Sequence, residues 1–236
     1  MIRGLGAAVL ALASLCTPAH DLITAESAER YLAQSARLQG LAASGPAQQR
    51  ARAAYELGVM FDEIRELLNR DLAAHGAVQG LPSNYLVAEL RRRGTPLAYS
   101  ADRQRYLANT GYFARALKLG AGGDVAGDAG FRLLQGAFYD GFDTDPLQSA
   151  ESRETLLEQI ALGERVAGET LTAEQREETE FILAVRYVRA ALALDAAGAR
   201  AYAGKARTAL AAFEAGYPGS LRAAAVPVLR EALERR

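Results

Sequence analysis

The stretch Ala54-Tyr55-Glu56-Leu57-Gly58-Val59-Met60-Phe61-Asp62-Glu63-Ile64-Arg65-Glu66-Leu67-Leu68-Asn69-Arg70-Asp71-Leu72 decides the fold class. Ala54, Leu57, Phe61, Ile64, Leu68 and Leu72 recur at three- and four-residue steps, which puts them on one stripe of an α-helix. Glu56, Asp62, Glu63, Arg65, Glu66 and Arg70 fall between them, on the face left to water. Pro46 precedes this helix and Gly76 ends it.

The same signals recur outward along the chain. Thr24 reads as the cap of a helix carrying Ala28, Leu32 and Leu38. Asp145-Pro146-Leu147-Gln148 reads as a cap, a first-turn Pro and a back-bonding Gln. Thr172-Ala173-Glu174-Gln175 repeats that logic before Phe181, Val185, Val188 and Leu192. Helical patterns also cover residues 83–94, 100–119, 128–140, 199–215 and 220–235. Sustained two-residue alternation is absent. Prolines 46, 82, 96, 146 and 218 fall between helices, and Pro227 is expected to kink or delay the last one. The expectation is an all-α chain of about 8–9 helices in antiparallel pairs, tetratricopeptide-like or an irregular bundle. A glycine-dense stretch, Gly120 to Gly130, suggests a loop between an N-terminal lobe (20–119) and a C-terminal lobe (131–236).

Composition bounds what such a chain does. The 236 residues carry 27 basic and 28 acidic groups, and half are apolar. That is too apolar for a disordered chain and too polar for a multi-span membrane protein. With a net charge of −1 the chain lacks the basic surface of a general nucleic-acid binder, so no nucleic-acid partner is expected. Only Lys118 and Lys205 among the basic residues are Lys, and 50 residues are Ala, a bias expected of a GC-rich genome that also suits close helix packing.

The first residues read as an export signal. Met1-Ile2-Arg3 supplies a positive charge, Gly4 to Cys16 an apolar run, and Thr17-Pro18-Ala19 the small residues of a cleavage site after Ala19. A lipoprotein site at Cys16 is the weaker alternative, because Leu15 is large where such sites take a small residue. Cleavage would leave 217 residues without Cys, hence without a disulfide or thiolate nucleophile. His20 would become the N-terminus, where a frayed end outweighs a copper chelate. No transmembrane segment is expected in the mature chain.

Tyr55-Glu56-Leu57-Gly58, with Phe61 following, resembles the first helix of a tetratricopeptide repeat, where Gly lets two helices approach closely. Ala206, Leu210, Phe213 and Tyr217-Pro218-Gly219-Ser220 are similar to the second helix and turn of such a repeat, above all in periplasmic envelope-assembly proteins. The resemblance covers about a third of the mature chain, keeps no steady repeat period and lacks the family Trp. It implies a helix-pair array presenting a concave binding surface.

Searches for chemistry end without a signature, so no catalytic, cofactor-binding or metal residue is assigned. No Gly-x-Ser-x-Gly elbow occurs, and His75, the only interior His, suits the C-terminal end of its helix. Two widely spaced His and no mature Cys cannot build a zinc site. Glu26-Ser27 and Glu151-Ser152 share a dipeptide with lytic transglycosylases, but neither is followed by the segment that marks that family, and first-turn acids and serines are favoured anyway. Asp140, Asp143 and Asp145 crowd into one turn and would suit a hard cation such as calcium, although the spacing departs from an EF-hand and Asp145 is a natural cap. Arg91-Arg92-Arg93 reads as a macrodipole complement, or as a grip for an acidic peptide or lipid head group.

These readings leave an exported, non-catalytic interaction scaffold that binds another envelope protein or peptide and needs no cofactor. The alternatives are a small-ligand or divalent-cation-binding protein and a carboxylate-dependent hydrolase. The first reading expects Tyr and Arg side chains lining one groove.

Overall fold

Thr24, Ser152, Thr172 and Asp195 each start a helix by accepting hydrogen bonds from first-turn N–H groups. In the computed structural model, which describes residues 22–75, 80–122, 124–141, 147 and 151–235, the order is α1 (Ala25–Ala43), α2 (Ala47–His75), α3 (Leu81–Arg92), β1 (Tyr99–Ser100), β2 (Arg105–Tyr106), α4 (Gly111–Lys118), α5 (Asp124–Gly141), α6 (Arg153–Ala167), α7 (Ala173–Ala193), α8 (Ala196–Gly216), a 3-10 turn (Leu221–Ala225) and α9 (Val226–Glu234). The fold is all-α apart from one two-stranded hairpin among the described residues. None of the described helices is long and apolar enough to cross a membrane.

Most of the stripe read along α2 is buried: Ala54, Leu57, Ile64 and Leu68 are inaccessible and Phe61 nearly so, while Leu72 at its end is half-buried. It faces α1 on one side and α4 on the other, while α3 lies on α1. Downstream, α5 packs on α4, α6 and α7, and α7 is held among α5, α6, α8 and α9. The buried side chains fall into two main clusters. One runs from Ile23 to Tyr106, the other from Phe131 to Leu233. Alanine lets the helices come close, with Ala28, Ala54, Ala116, Ala129, Ala190 and Ala206 all fully buried.

Several helix starts match the sequence. Thr24 and Thr172 form capping boxes with Ser27 and Gln175. Pro227 lies in the first turn of α9 and the chain before it is a 3-10 turn, so the last helix is delayed rather than kinked.

Three expectations differ. Residues 100–119 are not one helix: the hairpin takes their first part, and α4 covers only Gly111–Lys118. The stretch Gly120 to Gly130 is loop only at its start, because from Asp124 it is helix α5. Its later glycines serve contact instead, since a Cβ on Gly127 would lie 2.6 Å from the Thr170 carbonyl oxygen and one on Gly130 2.8 Å from Val166 Cγ2. The helix expected from Asp145 starts at Arg153 behind Ser152. Asp145 and Pro146 themselves lie outside the described residues, as do 1–21 with the export signal, Cys16 and His20.

Gly58 plays the close-approach part that its motif suggests, against α4. A Cβ there would sit 2.5 Å from Phe113 Cε1, and Phe113 is itself buried. Gly58→Ala is expected to cost about 1–3 kcal/mol by overpacking, read as a lower melting temperature. Adding Phe113→Leu should recover most of that loss; if it does not, the contact is not the cause.

Candidate functional site

A half-buried polar network joins α2, α5 and α7. Asp128, on the first turns of α5, accepts hydrogen bonds from Tyr55 Oη of α2 at 2.7 Å, Arg132 Nε at 2.7 Å and Gln175 Nε2 of α7 at 2.6 Å. Arg132 also reaches Asp62 at 3.4 Å, and Arg65 lies 3.5 Å from the other Asp62 oxygen. Burial raises the Asp62 carboxyl above its ordinary range, against the pull of Arg65 and Arg132. Burial, reinforced by the Asp128 carboxylate, pushes the Tyr55 phenol up to about 12. Tyr31, which donates to Glu63 at 2.7 Å, is pushed up to about 12 in the same way.

The hairpin is strapped to this frame from both sides. Asn69 of α2 accepts the Tyr106 N–H at 2.7 Å and donates to the Tyr106 carbonyl at 3.0 Å. On the other side, the Asp140 carboxylate near the end of α5 accepts the Ala108 N–H at 2.7 Å and faces Arg105 at 3.7 Å. Arg103 donates to the Asp140 carbonyl and Arg105 to the Tyr139 carbonyl. Two guanidinium groups thus meet the carbonyl end of α5, where the helix dipole favours positive charge. At the hairpin turn Gln104 has φ 49°, a left-handed backbone that costs a non-glycine residue about 1–2 kcal/mol.

The straps hold a groove of about 420 Å3 between the end of α2 and the hairpin, with Leu72, Ala73, Tyr99, Ala101, Arg103 and Gln104 beside Asn69. Tyr99 stacks its ring edgewise on Tyr106, centroids 5.1 Å apart, and keeps 48 % of its surface exposed. The apolar floor, the projecting phenol and the guanidinium suit a polypeptide segment. Sequence periodicity passes over this site, because two-residue strands are too short to alternate visibly and the groove joins residues some thirty positions apart.

The candidates singled out from sequence have other engagements. Asp140 holds the hairpin, while Asp143 and Asp145 lie outside the described residues; no group of three or more potential metal ligands occurs among the described residues. Glu151 accepts from Arg186 at 3.0 Å and pairs with Arg189 at 2.7 Å, both of them buried, and Ser152 caps α6. Glu26 is an exposed first-turn acid and Ser27 completes the Thr24 box. In the basic run, Arg92 pairs with Glu89 at 2.6 Å and Arg93 donates to the Leu32 carbonyl at 3.1 Å. His75 is the last residue of α2.

Removing the Asp128 acceptor takes a partner from Tyr55 and Gln175 and leaves Arg132 only Asp62, so Asp128→Ala is expected to cost about 2 kcal/mol in chemical denaturation. A Tyr55→Phe/Asp128→Ala cycle should be clearly non-additive. The phenols give a second readout. Folding holds the Tyr31 and Tyr55 protons past the ordinary Tyr value of 10.0 to about 12. Their stabilisation is therefore full below pH 10 and is lost as pH rises through 12. Absorbance titration of Tyr31→Phe and Tyr55→Phe should each delete one late-ionising phenol; loss of an ordinary one instead would contradict the assignment.

No family model, no curated protein and no solved structure matches the chain.

Proposed function

We propose that the chain is an exported, non-catalytic scaffold of the bacterial envelope, cleaved after Ala19, that holds a partner protein or peptide at the hairpin groove. The observation that carries this reading is Tyr99, presented half-exposed on a hairpin already fixed by Asn69 and Asp140. An interface loses affinity to the ordering of side chains and loops, and a strapped hairpin has met that cost before the partner arrives. Tyr and Arg are the residue types that dominate binding hot spots. Gln104 adds a conformation that persists only where the surroundings impose it. The tetratricopeptide-like motifs in α2 and α8 agree with a binding array, and the reading requires no general acid, nucleophile or metal.

The test combines export with capture. The protein recovered from the periplasm should begin at His20, and residence in the cytoplasm with residue 1 intact would overturn the export reading. A photo-crosslinking amino acid at Gln104 should give a discrete adduct in living cells. Tyr99→Ala and Leu72→Glu, both at the groove, should abolish that adduct while leaving the melting temperature within a few degrees. An unchanged adduct pattern in both variants would remove the groove as the docking surface.

A further inference from the structure

A second concavity lies on a different face, where α5 forms the floor of a trough walled by α4 and α6. Ala126, Gly130 and Leu133, spaced four and three residues apart, line the α5 floor. Leu117 of α4 and Val166 of α6 supply apolar walls. Gly130 lets α6 close directly on α5 beside the trough, since a Cβ there would press on Val166 at 2.8 Å. The charged groups on the trough are Lys118, Arg165 and Glu169, two cations against one anion. No ion pair among the described residues joins either cation to Glu169, whereas the other lysine, Lys205, is paired with Glu164 at 2.7 Å.

We propose that this trough binds a linear alkyl carboxylate, its chain along the floor and its carboxylate at Lys118 and Arg165. The volume of about 470 Å3 falls in the range of small-molecule sites, ~300–1,000 Å3. A protein partner would need roughly 800 Å2 of surface on each side, more than a trough walled by the eight residues of α4 offers. Those eight residues extend about 12 Å, which suits a medium-length chain. Hydrocarbon on an apolar floor gains by leaving water, and a carboxylate between an ammonium and a guanidinium gains charge-assisted hydrogen bonds. The excess of positive charge sets the sign of the head group, so the neutral alcohol and the alkylammonium of equal length are disfavoured. The inference stands apart from the hairpin groove and does not depend on partner docking there.

The probe is a dansylated undecanoic acid added to the purified mature chain. Its fluorescence should rise and shift to the blue with one-to-one saturation, and decanoate should displace it while decanol and decyltrimethylammonium do not. Lys118→Glu combined with Arg165→Glu, both exposed positions, should weaken the probe by about tenfold or more, the loss of two charged contacts, while the melting temperature falls by only a few degrees, as expected for acids in the last turns of α4 and α6. Ala126→Phe, which fills the floor, should abolish binding, and Tyr99→Ala should leave it intact. Absence of saturable binding, equal displacement by decanol or decyltrimethylammonium, indifference to the charge reversal, or loss of binding in Tyr99→Ala would each overturn the proposal.

Discussion

The carboxylate of Asp128 is the constraint that ties α2, α5 and α7 together. Its two oxygens receive a phenol from α2, a guanidinium from α5 itself and an amide from α7. An ionised carboxylate accepts several donors at once, and a group with so many partners is difficult to replace by any neutral side chain. Its reach is prepared one residue earlier, where Gly127 lets α5 lie directly on the chain at Thr170. That contact brings Thr172 and Gln175 within range. Gln175 then has two tasks: its oxygen accepts the Thr172 N–H to close the capping box, and its nitrogen donates to Asp128. The start of α7 and the docking of α5 are thereby joined through one amide.

The same chemistry recurs between other helices. Tyr31 donates to Glu63, Tyr85 to Glu29 and Tyr187 to Glu164, joining α1 to α2, α3 to α1 and α7 to α6. A phenol is a rigid spacer with a donor at its tip, so it spans from one helix to an acid on the next while its ring covers apolar surface. Arginine carries out the complementary task. Arg222 reaches Glu177 and Glu178 together, and Arg186 with Arg189 grips Glu151. The planar fork of the guanidinium makes such two-way contacts possible where a lysine ammonium would act as a point charge. A composition with few lysines thus supports a lattice of directed bonds between alanine-rich helices.

Where local chemistry decides structure, the sequence was readable. The α2 stripe, the Thr24 cap, the Thr172 box and the effect of Pro227 depend on residues within one or two turns of each other. The failures are long-range. The hairpin exists because Asn69 and Asp140, more than thirty positions to either side, hold Tyr106 and Ala108. Glycines 127 and 130 looked like a loop because their reason, contact with Thr170 and Val166, lies on other elements. The groove around Tyr99 was illegible for the same cause.

Asn69 has a consequence beyond fixing the hairpin. A two-stranded ribbon exposes unpaired N–H and C=O groups along its outer edges, and these are templates on which a foreign strand can add. The Asn69 amide satisfies one donor and one acceptor on Tyr106 much as a third strand would. A helix side chain therefore seals one edge of the ribbon against pairing between molecules. Tyr106 keeps its backbone partners inside the fold, and the surface that remains open is the one bearing Tyr99.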